Sequence, residues 1–290
     1  MNKNARKLIP AVAMLLVSAS MLSTASYAWF SMNGTVKATG MQVKVQAPAS
    51  LLISETENGT YSDVYNINEQ NPKTLGHASS IDGKGIFSVN PNKVNATDGT
   101  LKLSSTSDVF SVSNDTFANS EFYGVADTVG YVDYTFWVAA SGNSKLDVKL
   151  DYSTISVVSS VENDALLPAL RFAVLLKSNE NVEAPSASNV WCGSKNDALG
   201  DPSKNAISST DVSKEGTDPD FTYTPTTAAV KQYVKDTNLF QLGVNGKQEV
   251  TIRIWFEGMD EACKNTNILQ LKSYTITVAF ASTVVTEEKP

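Results

Sequence analysis

The stretch WFEGMDEAC, residues 255–263, sets the carboxylates Glu257, Asp260 and Glu261 close together. Hard cations take several carboxylate oxygens from one loop, so calcium binding is one chemistry that this spacing allows. The other reading is a strand that ends and turns at Gly258, with Asp260 accepting from nearby backbone N–H groups. The run ETENGTYSD (55–63) carries further carboxylates without the fixed ligand positions of an EF-hand loop. His77 is the single histidine, in a Gly/Ser-rich stretch that reads as solvated loop. One histidine excludes the paired-histidine zinc motif and leaves a Ser–His–Asp triad without context. Cys192 and Cys263 are the only cysteines. In an exported chain an even count suggests a disulfide; on the chain-entropy model, closing a loop of about 70 residues stabilises by roughly 4 kcal/mol. The alternative is two separate thiols. Two thiols and one histidine do not make a structural zinc site. Trp137, Trp191 and Trp255 could form an aromatic platform for the apolar face of a sugar, or be covered by insertions or a neighbouring subunit. No cofactor, no metal site and no catalytic residues are expected, and the chain does not read as an enzyme.

These residues must be positioned by β-strands, because period-2 alternation dominates the chain. Met41, Val43 and Val45 face one way and Gln42, Lys44 and Gln46 the other. The same pattern recurs with Val132, Tyr134, Phe136 and Val138, and with Leu146, Val148, Leu150 and Tyr152. It continues with Val250, Ile252, Ile254 and Phe256, and with Tyr274, Ile276, Val278 and Phe280. Strands with one buried and one wet face belong to antiparallel sandwiches. LPALRFAVLL (167–176) is nearly all apolar and fits a central strand buried on both faces. AASGNS (139–144) is a turn by composition, making 131–152 a hairpin or a sheet-crossing pair. The best helix signal is TPTTAAVKQYVKD (224–236). The expected fold is all-β: a jelly-roll-like antiparallel β-sandwich over 41–290, with long loop insertions at about 55–125 and 178–245 and one or two short helices.

The N-terminus has the three parts of a cleavable signal peptide over residues 1–28. MNKNARK is basic, and the apolar run of 15 residues that follows is short for a membrane span of about 20. Ser26 and Ala28 supply the small residues that signal peptidase needs. Secretion to the extracellular matrix or cell surface follows, with membrane contact only through the uncleaved leader. The 290 residues are enough for a sizeable core, with 42% apolar and only 18% charged residues, against about 25% in an ordinary soluble domain. The net charge is −7, and nearer −10 once the three basic residues of the leader are removed. Such a chain repels nucleic acid and anionic lipid.

The junction ASYA/WFSMNGTVKATGMQVKV resembles the TasA/camelysin family of secreted matrix-fibre proteins, in which a small residue at the cleavage site is followed by an aromatic pair. Trp29 and Phe30 match that pair and Ser31 the next position. Val36, Ala38 and Gly40 match the family's F-x-A-G region loosely. Met32 stands where the family prefers Asp, and Thr39 is an extra residue before the glycine. YVDYTFWVAASGNSKLDVKLDY and the C-terminal LKSYTITVAFAST resemble family strands. The resemblance implies a self-assembling homo-oligomer: residues 29–40 would be a donor strand that adds to the sheet of the next subunit, giving an extracellular or biofilm-matrix filament. Trp29, Phe30, Val36, Ala38 and Met41 would carry the polymerisation contact. The alternative expectation is a monomeric cell-surface module that binds a glycan or protein ligand.

Overall fold

The computed structural model describes residues 42–46, 48, 50–68, 74–75, 77–89, 109–112, 128–178, 181–183, 189–192, 205–215, 222–258, 260, 262 and 273–286. In chain order the first strands are β1 (Gln42–Gln46), β2 (Leu51–Ser54), β3 (Val64–Asn68), β4 (Thr74–Leu75), β5 (His77–Ala78), β6 (Ile86–Val89), β7 (Val109–Val112) and β8 (Thr128–Val129). Then come β9 (Val132–Ala140), β10 (Leu146–Leu150), β11 (Ser156–Ser159), β12 (Leu170–Ser178), β13 (Asn181–Glu183) and β14 (Val190–Cys192). The chain closes with β15 (Asn205–Glu215), β16 (Thr222–Ala229), β17 (Asn238–Leu242), β18 (Lys247–Glu257) and β19 (Tyr274–Val284).

Two sheets carry the fold. The first has six strands in the order β17-β10-β19-β1-β3, with β11 also on β19. The second has seven, in the order β13-β12-β18-β9-β2, with β14 on β12 and β5 on β18. Most pairs are antiparallel, but β1 runs parallel to β19, with Gln42 opposite Thr275 and Gln46 opposite Ala279. The alternation of the sequence decides which face is inside. Val43, Val45, Phe136, Val148, Val250, Ile252, Ile254, Phe256, Tyr274, Ile276 and Val278 are all buried in one core between the sheets. Ring contacts tie the sheets together, Phe136 with Phe280 and Phe256 with Tyr274. β9 and β10 lie in different sheets, so 131–152 is a sheet-crossing pair rather than a hairpin. β12 is buried on both faces from Leu170 to Leu175, as its apolar run predicts.

Three details differ from the sequence reading. The helix expected over 224–236 is instead β16, paired antiparallel with β15, followed by non-helical chain. The Thr-rich start favours a strand, and Pro225 sits beside an irregularity in the register, where a missing N–H is tolerated. The one helical element among the described residues is the 3-10 turn Leu167–Ala169, which opens with a proline in its first turn. β3 and β17 lie within the ranges expected to be insertions, yet both belong to the first sheet. His77 is in β5, paired with Phe256, rather than in a loop.

The outer face of β18 is not wet. Residues 78–87 lie across it and, with Tyr131, Ala173, Leu175, Val190 and Cys192, bury Trp255 in a second small core. Gly83 makes that approach possible: its φ is 75°, and a Cβ there would lie 2.2 Å from the Ala173 Cβ. Arg253 is buried beneath the same cover. It makes two bonds of 2.7 Å to Asp133, donates to the Gly83 carbonyl at 3.0 Å, and lies 4.0 Å from the Tyr131 ring centroid. Gly83→Ala therefore forces both a left-handed Cβ and a steric clash. It is expected to cost more than the ~1–2 kcal/mol of the backbone term alone, read as a lower urea midpoint. Gly243→Ala, with open space at its Cβ, leaves the midpoint nearly unchanged.

Candidate functional site

Where the sequence carries no catalytic motif, the places to look are the sheet edges, where backbone N–H and C=O groups lack partners. β1 is an interior strand, bonded to β19 on one side and β3 on the other. β1 therefore begins at an end of the sheet, where Gln42 lies opposite Thr275 on one side and Asn68 on the other. The expected donor residues Trp29, Phe30, Val36, Ala38 and Met41 lie outside the described residues, as do Ser26 and Ala28.

β3 closes the first sheet on that side. Its sequence, VYNIN, has no charge and no proline, the usual devices that blunt an edge. Among the described residues, no strand pairs with it opposite β1. Tyr65 and Ile67 stand opposite Val45 and Val43 and so point inward. Val43 and Val45 are 1% and 0% exposed, whereas Tyr65 and Ile67 are only half-buried against the core. Burial raises the Tyr65 phenol above its usual pKa, and the charge and hydrogen bond of Glu55 push it the same way. The other edges whose side chains are described are better covered. On β2, Leu51 and Ile53 are buried, and Ile53 also bridges to Ser62. On β17, Leu239 and Leu242 are buried and only Phe240 is half-buried. On β11, Val157 is buried.

The acidic cluster is a buried structural network. Asp260 takes a 2.6 Å bond from Arg171 and a 2.9 Å bond from the Ala262 N–H. Glu257 accepts from the Trp255 indole at 3.1 Å and from the Ser80 N–H at 3.2 Å. Both carboxylates are thus engaged by protein donors, in the manner of a strand end and turn rather than an open cation loop. Glu261 lies outside the described residues. Among the described residues no group of three or more His, Cys, Asp or Glu is placed to hold a metal ion. Arg171 also donates to the carbonyls of Pro168 and Leu170. Burial opposes its charge, but Cys192, Asp260 and Glu257 outweigh that and hold its pKa above the usual value. A second buried carboxylate, Asp164, accepts from Ser159 and Tyr274 at 2.8 Å each and from the Leu166 N–H at 3.0 Å. It pins the end of β11 to the start of β19 and to the turn that leads into β12.

The three tryptophans do not form a platform. Trp255 is fully buried under residues 78–87, and Trp191 is in the main core, stacked on Phe172 at 5.1 Å. Only Trp137 of the three is partly exposed. The outward register of Trp255 was legible, but its cover comes from a segment distant in sequence. An open groove of about 420 Å³ is lined by Leu52, Tyr61, Ala139 and Lys247, among others. In its wall, Lys247 donates to the Glu57 carbonyl at 2.7 Å and lies 5.4 Å from the Tyr61 ring centroid.

Comparison with protein-family models, with characterised proteins and with solved structures finds no match to this chain.

Cys192 is buried, with no disulfide partner among the described residues; Cys263, its expected partner, lies outside them. Burial pushes the Cys192 thiol up from 9.0 to about 11; Arg171 opposes this, and Glu257 and Asp260 add to it. The unfolded chain releases this proton near 9.0 and the folded chain only near 11. The contribution of the thiol to stability is therefore complete below the lower value and is lost as pH rises toward the upper one. At mildly alkaline pH, iodoacetamide should leave the peptide carrying Cys192 unmodified in the native protein and alkylate it in urea. Rapid alkylation of native protein, seen by mass spectrometry, would contradict this placement.

Proposed function

We propose that this chain is a secreted structural subunit of an extracellular filament, in which the segment after the leader of one copy adds as a strand to the sheet of the next. The observation that carries the reading is the edge at β3: uncharged, free of proline, and backed by two inward side chains that its own sandwich leaves half-buried. An exposed edge of that kind is a template for pairing, and strand addition satisfies it with main-chain hydrogen bonds while alternate side chains enter the core. The sequence supports the same reading through its signal-peptide pattern and its resemblance to secreted matrix-fibre proteins at the leader junction.

The aromatic pair at the junction fits this role. Trp29 and Phe30 would be exposed on a lone subunit and buried in an assembly, where each large ring removes about 150–250 Å² from water. At about 25 cal/mol per Å², that is several kcal/mol of gross attraction, before the cost of ordering the strand. The leader would hold assembly back, because a segment tethered to the membrane cannot enter a neighbour until it is cut. Donation from head to tail does not close on itself and so yields fibres.

The test is negative-stain electron microscopy of the chain that begins at Trp29, beside one lacking residues 29–40. Filaments from the first and only monomers from the second are expected. Monomers from both would remove the fibre reading, and filaments from both would place the contact elsewhere in the molecule.

A further inference from the structure

The strand-donation reading leaves open which edge receives the strand and which side chains enter. Residues 30–40 read FSMNGTVKATG. Phe30, Met32, Val36 and Ala38 occupy even positions, with Gly34 in the same phase, and the odd positions between them hold Ser, Asn, Thr and Lys. In β1 the buried residues, Val43 and Val45, occupy odd positions. The apolar phase therefore reverses between Ala38 and Val43, across Gly40. A straight extension of β1 would turn all four apolar residues to the outer face, beside Gln42 and Lys44, because a shift by one residue exchanges the two faces of a strand. Nor can the segment pair beside β1, since both sides of β1 are occupied. By its sequence the segment therefore reads as an amphipathic stretch out of phase with β1, which suits a strand added to a sheet elsewhere.

We infer that the outer edge of β3 receives residues 30–38 of a second copy, with Phe30, Met32, Val36 and Ala38 turned inward against Tyr65 and Ile67. This rests on the strand-donation reading and adds the acceptor and the inserted face to it. Among the edge strands whose side chains are described, β3 is selected because both its inward side chains are half-buried, whereas Leu51 and Ile53 of β2, Leu239 and Leu242 of β17 and Val157 of β11 are already covered. The sequence supplies a fitting occupant: an alternating segment that precedes β1, whose first residue Gln42 lies at the end of the same sheet.

The test is photo-crosslinking in assembled filaments of the chain from Trp29, prepared as an equal mixture of isotopically light and heavy protein. One sample carries p-benzoyl-phenylalanine at position 30; a second carries it at the exposed position 66 of β3, so that a defect caused by altering Phe30 does not decide the outcome. Mixed light–heavy crosslinks joining 30–38 to 64–68 are the expected result. Crosslinks only within one isotope would mean that the segment covers its own subunit, and would overturn the inference. Mixed crosslinks from 30–38 to β11 or β17 would overturn it too while leaving strand donation standing. Failure of the unmodified chain to form filaments at all would remove the underlying reading and this one with it.

Discussion

A β-sheet that does not close into a barrel ends in strands whose outward N–H and C=O groups have no partner in the sheet, and this constraint organises the molecule. The sandwich meets it unevenly. On one side, β2 is tied back through the Ile53–Ser62 bridge. On the other, Tyr233 reaches from the second sheet to the first: its N–H bonds the Val190 carbonyl and its hydroxyl accepts from the Leu150 N–H. On β3 the Ser62 hydroxyl bonds the Val64 carbonyl at the start of the strand, but the half-buried Tyr65 and Ile67 beyond it mark where the core is thin. Inward apolar residues that stay partly wet forgo part of the roughly 1.5–3 kcal/mol that full burial of such a side chain gives. A strand supplied from outside would recover it.

The rest of the structure holds that edge rigid. β1, which backs β3, is clamped against the C-terminal strand β19, so the two ends of the sandwich domain meet in one sheet. β18, the middle strand of the other sheet, is buried on both faces by the main core and by residues 78–87. Among the polar groups this second cover encloses, Arg253 is paired with Asp133, and Glu257 with Trp255 and Ser80. Arg171 and Asp260 complete a buried ion pair at the same end of β18. Such pairs are weak evidence for stability, but removing one partner strands a buried charge at a cost of about 3–5 kcal/mol. Their role here is to fix where the end of β18 and the cover segment sit.

Much of this was legible in the sequence, for a physical reason. β1, β9, β10, β18 and β19 each have one face in the main core, and period-2 alternation named the inward residues Val43, Phe136, Val148, Ile252 and Ile276 correctly. Alternation says which way a side chain points, not what lies over it, so the burial of Trp255 and Arg253 by the distant 78–87 segment could not be read. Thr- and Ala-rich chain at 224–236 carried helical spacing, but pairing with β15 decided its first part. β3 was hidden in an Asn- and Ser-rich stretch, with only Tyr65 and Ile67 to signal it. That weak signal is itself part of the account, since a strand with few apolar residues makes a poorly covered edge.

Hydrogen–deuterium exchange, read residue by residue in monomer and filament, tests the central claim most directly. In an edge strand, the amides that point away from the sheet exchange readily until another strand pairs with them. The account predicts that amides of Val64–Asn68 gain protection on assembly, while those of β11 and β17 do not change. Unchanged exchange in β3, with new protection in β11 or β17, would contradict it.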